Sequence, residues 1–137
     1  MDLNAVAEGI ATNVDTITGL QALDYGPDDG VEPLFWVGEI AEQFDTAMGR
    51  GQDELTVTCW LIVSRVDDEN GQKQVREYMS GSGTKSIRTA VRIDKTLGGA
   101  ASDVRATNAR GPIPIELGSN RYIGAQFTLQ VIGRGNA

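Results

Sequence analysis

Histidine is absent from this chain, and cysteine occurs once, at Cys59. The first absence removes histidine-centred triads and most imidazole metal sites together. The second rules out an intramolecular disulfide. Cys59 lies on the apolar face of a strand pattern with no histidine to activate it, so it reads as a small buried hydrophobe rather than a nucleophile. Long apolar runs are missing too. No stretch approaches the roughly 20 residues of a membrane span, and the opening MDLNAVAEGI has no signal-peptide core, so no membrane partner is expected and synthesis is expected in the cytoplasm. Positive charge is scarce: 12 basic against 19 acidic residues give −7, and the counterion release behind generic DNA binding points the wrong way.

What is present is ordinary globular composition, 40% hydrophobic and 23% charged over 137 residues, enough for one domain with a real core. Leu3, Val6, Ile10, Val14 and Ile17 form one helical stripe over residues 1–19, with Asp2 suited to its N-cap and Gly19 to its end. LDYGPDDGVEP, from Leu23 to Pro33, reads as an exposed loop. Two strands are expected over 34–66. In the second, Leu55, Val57, Cys59, Leu61 and Val63 share a face, and the glycine-bearing link between the strands suggests a hairpin tip. Paired helices follow over 68–97. Asp67 and Asp68 are placed to cap the first, and Gly81 and Gly83 sit where a left-handed C-terminal residue is wanted; Ser82 or Thr84 would cap the second, and Gly98-Gly99 would end it. Two or three strands fill 102–132, one a proline-punctuated edge segment with Ile113 and Ile115 on one side, another the alternating RYIGAQFTLQVI. The order predicts an α+β fold: a mainly antiparallel sheet of four to five strands with helices packed on one face.

Several stretches invite a chemical reading. SGSGTKS (Ser80 to Ser86) resembles a phosphate loop, but Thr84 separates Gly83 from Lys85, and the dinucleotide fingerprint would need a glycine where Ser86 stands. The stretch reads instead as a break between two helices, and no cofactor is expected. VDDENG fails as a calcium loop because Val66 occupies the position of the first ligating acid. Asp28, Asp29 and Glu32 suggest a paired-carboxylate site, yet nothing nearby in sequence offers a partner, and they read as a solvated loop. Trp36 and Trp60 lie in strand patterns, where packing precedes base stacking. No catalytic or metal site is expected. Arg50, between Gly49 and Gly51 at the expected hairpin tip, is placed either to reach a carboxylate of a neighbouring subunit or to stand in solvent.

Four motifs stand in order along the chain: DTAMGRGQDELTVTCWLIVSR (Asp45 to Arg65), YMSGSGTKSIRTAV (Tyr78 to Val91), DKTLGGAASDVR (Asp94 to Arg105) and YIGAQFTLQVIG (Tyr122 to Gly133). In that order the chain resembles the small tail terminator proteins of long-tailed, siphovirus-type phages, especially those infecting actinobacteria, over roughly its C-terminal two-thirds. The resemblance implies the lambda-like tail terminator fold, a hexameric ring at the tail–neck junction of the virion, and a structural rather than enzymatic role. Such a ring halts tube polymerisation and joins the tail to the neck. The implied partners are further copies of the chain, the major tail tube protein and a neck or head-completion protein; genomic DNA passes the lumen without specific binding. A ring with head-to-tail contacts needs two different complementary surfaces per subunit. The residues expected to supply contacts are Tyr25, Asp28, Asp29 and Glu32 in the acidic loop, and Met48, Gly49, Arg50 and Gly51 at the hairpin tip. A head-completion, stopper or adaptor subunit of the neck and a small acidic binding module outside the virion stay open as alternatives.

Overall fold

A computed structural model of the chain describes residues 1–28, 31–44, 52–65 and 68–134. Helix α1 (Leu3–Val14) begins where extended Asp2 turns its carboxylate back to accept from the Asn4 and Ala5 N–H groups at 3.0 and 3.3 Å. Two of the unpaired donors of the first turn are thereby satisfied. Val6, Ile10 and Val14 face the core, and Ile17 joins them from beyond the helix end. The helix stops short of Gly19 because Thr16 Oγ1 donates to the Asn13 carbonyl at 2.7 Å, and the Ile17 N–H bonds three residues back to Val14.

Five strands form one sheet among the described residues. β1 (Gln21–Leu23) pairs in parallel with β2 (Leu34–Gln43). The remaining pairings are antiparallel: β2 with β3 (Gln52–Ser64), β3 with β5 (Asn120–Arg134), and β5 with β4 (Asp103–Leu117). The spatial order is β1-β2-β3-β5-β4. The fold is thus α+β with a mostly antiparallel sheet. β1 lies between the expected helix and the expected loop, sharing only Leu23 with the loop, and no element was expected there. β4 is one long edge strand where two segments were expected, and it bends through register shifts between Ala106 and Asn108 and between Arg110 and Ile113. Pro112 and Pro114 are tolerated there because an edge strand has one side without ladder bonds. A two-residue turn, Gly118-Ser119, joins β4 to β5; Gly118 takes a φ of +62°.

Helix α2 (Glu69–Met79) is capped by Asp68, whose carboxylate accepts from the Gly71 N–H at 2.7 Å. Its end differs from the expectation. Ser80, not a left-handed glycine, stops it with φ −58° and ψ 146°; only Gly83 of the two glycines has a positive φ, +110°. The second helix, α3 (Ile87–Ala90), is a single turn capped by Ser86 rather than Ser82 or Thr84. Ser86 is buried, accepts from the Thr89 N–H at 3.2 Å and donates to the Ser80 carbonyl at 2.6 Å, tying the new helix to the end of the old one. Beyond α3 the chain runs through turns to a 3-10 turn at Leu97–Gly99, where Gly98 and Gly99 take φ of +71° and +96°.

The three α-helices of the described residues bury side chains in one cluster with one face of the sheet. Val6, Ile10 and Val14 of α1, Val75 and Tyr78 of α2, and Ile87 and Ala90 of α3 meet Phe35, Val57, Cys59, Leu61, Ala125, Phe127, Leu129 and Val131. Asn13 is the polar member of this layer. It is buried, and its side-chain amide donates to the Val91 and Asp94 carbonyls, both at 2.9 Å. No helix among the described residues is long and apolar enough to cross a membrane.

Candidate assembly surface

The opposite face of the sheet carries a second cluster of Leu34, Trp36, Ile62, Ile115, Leu117 and Tyr122, with Leu23, Trp60 and Ile113 at its margin. Alternation places these residues outward from the helices. They are covered by the chain that links β1 to β2. Gly26 lies against the Trp36 indole, and the Asp28 carbonyl sits so near Gly118 that a Cβ there would come within 2.7 Å of it. The stretch read as a solvated loop therefore packs its backbone inward, across the face that has no helix. Its outward side presents Tyr25, 59% exposed, and Val31, 76% exposed, beside exposed Asp28 and half-buried Glu32. Large apolar groups surrounded by acids on a surface loop are a feature of contact surfaces rather than of solvated ones. Asp29, and Met48, Gly49, Arg50 and Gly51, lie outside the described residues.

Described residues that precede and follow β2 in the chain stand at its opposite ends. The acidic loop leads into Leu34, while Phe44, 71% exposed, follows the other end and leads toward residues 45–51. Ten residues of strand separate them by about 30 Å at roughly 3.3 Å per residue. Exposed Phe44 closes the stretch expected as a strand and was not singled out from sequence.

Beyond the loop-covered cluster, the helix-free face is polar. Arg105 on β4 donates to Gln130 Oε1 at 3.1 and 2.8 Å, and the Gln130 amide donates on to Glu54 of β3. A polar chain thus crosses three neighbouring strands. Arg65 lies 5.6 Å from the centre of the Tyr122 ring at the margin of the covered cluster, a cation–π distance.

The remaining chemical candidates have local partners. Lys85 of SGSGTKS pairs with Glu77 at 3.1 Å and stands 5.8 Å from the Tyr78 ring centre. The Glu77 hydrogen bond and charge raise the lysine pKa, while burial raises that of Tyr78, partly offset by the lysine. Cys59 is fully buried, and burial pushes its thiol far above the usual range despite a hydrogen bond from the Gly38 backbone. A thiol held protonated is a poor nucleophile. Asp94 organises the turn after α3: its carboxylate accepts from the Thr96 hydroxyl at 2.6 Å, the Thr96 N–H at 3.1 Å and the Gly98 N–H at 3.0 Å, bonds that hold its pKa below the ordinary value. Among the described residues no cluster of three or more Asp, Glu, Cys or His side chains is arranged to hold a metal ion.

The four ordered motifs fall on the centre and one side of the molecule: β3, the α2–α3 junction, the turn into β4, and β5. β3 and β5 are neighbours in the middle of the sheet. No protein-family model and no curated protein matches the chain.

Proposed function

We propose that the chain is a tail terminator: a structural protein that forms a ring at the head-proximal end of a phage tail tube, stops the tube growing and joins it to the neck. The reading rests on the ordered motifs. The observation that best supports it is that large apolar side chains are exposed before and after β2, Tyr25 and Val31 ahead of Leu34 and Phe44 beyond Gln43. A ring between tube and neck needs separate surfaces for its two axial partners, and the ends of β2 can serve them while the sheet edges remain for ring neighbours. One axial end would copy the docking surface of a tube subunit and the other would lack the surface that polymerises. Excess negative charge suits a passage through which DNA moves without being held.

The native mass of the purified chain, alone and mixed with tail tubes, tests this together with images of tube ends. One ring at a single end of each tube is the expected result. Arg50→Glu should abolish ring formation or tube attachment while the monomer keeps its circular dichroism spectrum and melting temperature; unchanged capping removes Arg50 from the contact. The same two-ended geometry suits a head-completion or stopper subunit. Binding to the major tail protein separates the two, since a stopper would ignore bare tubes.

A further inference from the structure

Four large apolar side chains stand exposed among the described residues, and three of them, Tyr25, Val31 and Phe44, flank β2. The fourth, Ile93, lies in the turns after α3 and has no part in the contacts proposed above. It borders a hollow of about 750 Å³ between the end of α1 and the start of α3. That volume falls within the roughly 300–1,000 Å³ of ligand clefts. Ile17, Ala90 and Ile93 supply its apolar surface. Thr18, Thr84 and Thr89 add hydroxyls that have no hydrogen-bond partner among the described residues. Lys85 is the one charged side chain among the described residues that line it.

The walls are tied in place by the fold itself. The Asn13 amide holds the Val91 and Asp94 carbonyls to α1, the Thr16 hydroxyl is bonded to the Asn13 carbonyl, and Ser86 holds the Ser80 carbonyl across the break between α2 and α3. A ligand entering a site already held in shape pays little for ordering it. Gly83, Thr84 and Lys85, in the stretch that fails as a phosphate loop, form one side of the hollow.

Charge selects the occupant. Residues 85–95 carry four basic side chains, Lys85, Arg88, Arg92 and Lys95, against Asp94 alone, a net of +3 within a chain of −7. The Asp94 carboxylate is engaged by Thr96 and Gly98 of its own turn. Lys85 is bonded to Glu77 at 3.1 Å, but both side chains are about half exposed, and a pair of that kind contributes little, so a second carboxylate can take the place of Glu77 at small cost. A bare anion would leave the surface of Ile17, Ala90 and Ile93 unused, and an uncharged apolar ligand would leave Lys85 unused.

We propose that this hollow binds a short acidic segment of another protein, with an aliphatic or aromatic side chain seated on Ile17, Ala90 and Ile93 and a neighbouring Asp or Glu carboxylate on Lys85. The free threonine hydroxyls are placed to bond with the backbone of such a segment. None of the residues flanking β2 lines the hollow, so this contact does not rest on the tail-terminator reading.

Selection of yeast-displayed random dodecapeptides on the full chain tests the site, followed by amide chemical-shift mapping with the enriched peptides made synthetically. Enriched sequences should place Asp or Glu beside Leu, Ile, Val or Phe, and the shifts should concentrate at Ile17, Thr18, Gly83 to Thr89 and Ile93. Lys85→Ala and Ile93→Ser should each weaken binding by about tenfold or more, with melting temperatures near wild type as expected at exposed positions. Lys85→Arg should retain it, and added salt should weaken it, since the ion pair is exposed. No enrichment, enriched sequences without acids, shifts that map elsewhere, or binding indifferent to both variants overturns the proposal. Shifts of the same amides with chain concentration in the absence of peptide would make a second copy the occupant and overturn it equally.

Discussion

The two faces of the sheet are buried by different means. On one, three helices lay periodic apolar side chains against alternating strand residues, and the layer is continuous from Val6 to Val131. On the other, a single connecting segment covers six buried residues and leaves the remaining strand surface to Thr56, Thr128, Gln130 and Arg105. A helix brings its own hydrogen bonds to the surface it covers, whereas an irregular segment must find partners for its backbone one at a time. The helical face is therefore the stable foundation, and the loop-covered face is where a binding surface can be carried without loosening the core.

The largest expected effect lies on the loop-covered face. A Cβ at Gly124 would stand 1.8 Å from the Leu61 carbonyl oxygen, a backbone atom that cannot swing aside. Gly124→Ala should lose about 3 kcal/mol or more in urea denaturation, the upper range of overpacking costs. Next comes a direct comparison of the faces. Leu129→Ala, beneath the helices, should cost about 3 kcal/mol; Ile115→Ala, beneath the loop, should cost nearer about 2 kcal/mol because the loop can settle into the space. Equal losses would mean that the loop is packed as rigidly as the helices. Asn13→Ala leaves the Val91 carbonyl without its side-chain donor and the Asp94 carbonyl with the Leu97 N–H alone, and should cost about 2 kcal/mol, seen in the same measurement. Tyr122→Phe should have the smallest effect and the opposite sign. Its buried hydroxyl has no hydrogen-bond partner among the described residues, so removal should leave stability unchanged or raise it by up to about 1 kcal/mol. A lower melting temperature would reveal a partner for the hydroxyl.

This contrast also explains what could be read in advance. The stripe of α1, the alternation of β3 and β5 and the caps at Asp2 and Asp68 are local signals, and the structure repeats them. β1 could not be read because three residues carry no periodicity, and its partner lies across a ten-residue link. The cap of α3 was misplaced because Ser82, Thr84 and Ser86 are alike in sequence; the Ser80 carbonyl, reachable only after the chain folds back, selects Ser86. Asn13 gave no local signal, since its two acceptors lie 78 and 81 positions away. Of the expected contact residues, Tyr25, Asp28 and Glu32 are described and lie on the loop expected from sequence. Nothing in the sequence signalled that the backbone of this loop packs over Trp36.

The meeting of Asp28 with Gly118 has a mechanical consequence. The segment bearing Asp28 leaves β1 at one margin of the sheet, and Gly118 forms the hairpin tip beside β4, whose margin lies about 19 Å from β1 at roughly 4.8 Å per strand spacing. The five residues from Asp24 to Asp28 can reach about that far when extended. The segment is thus a brace across the width of the sheet. A partner pulling on Tyr25 would load both margins at once, and force applied at the surface would be shared by the β-framework before it reached the helices.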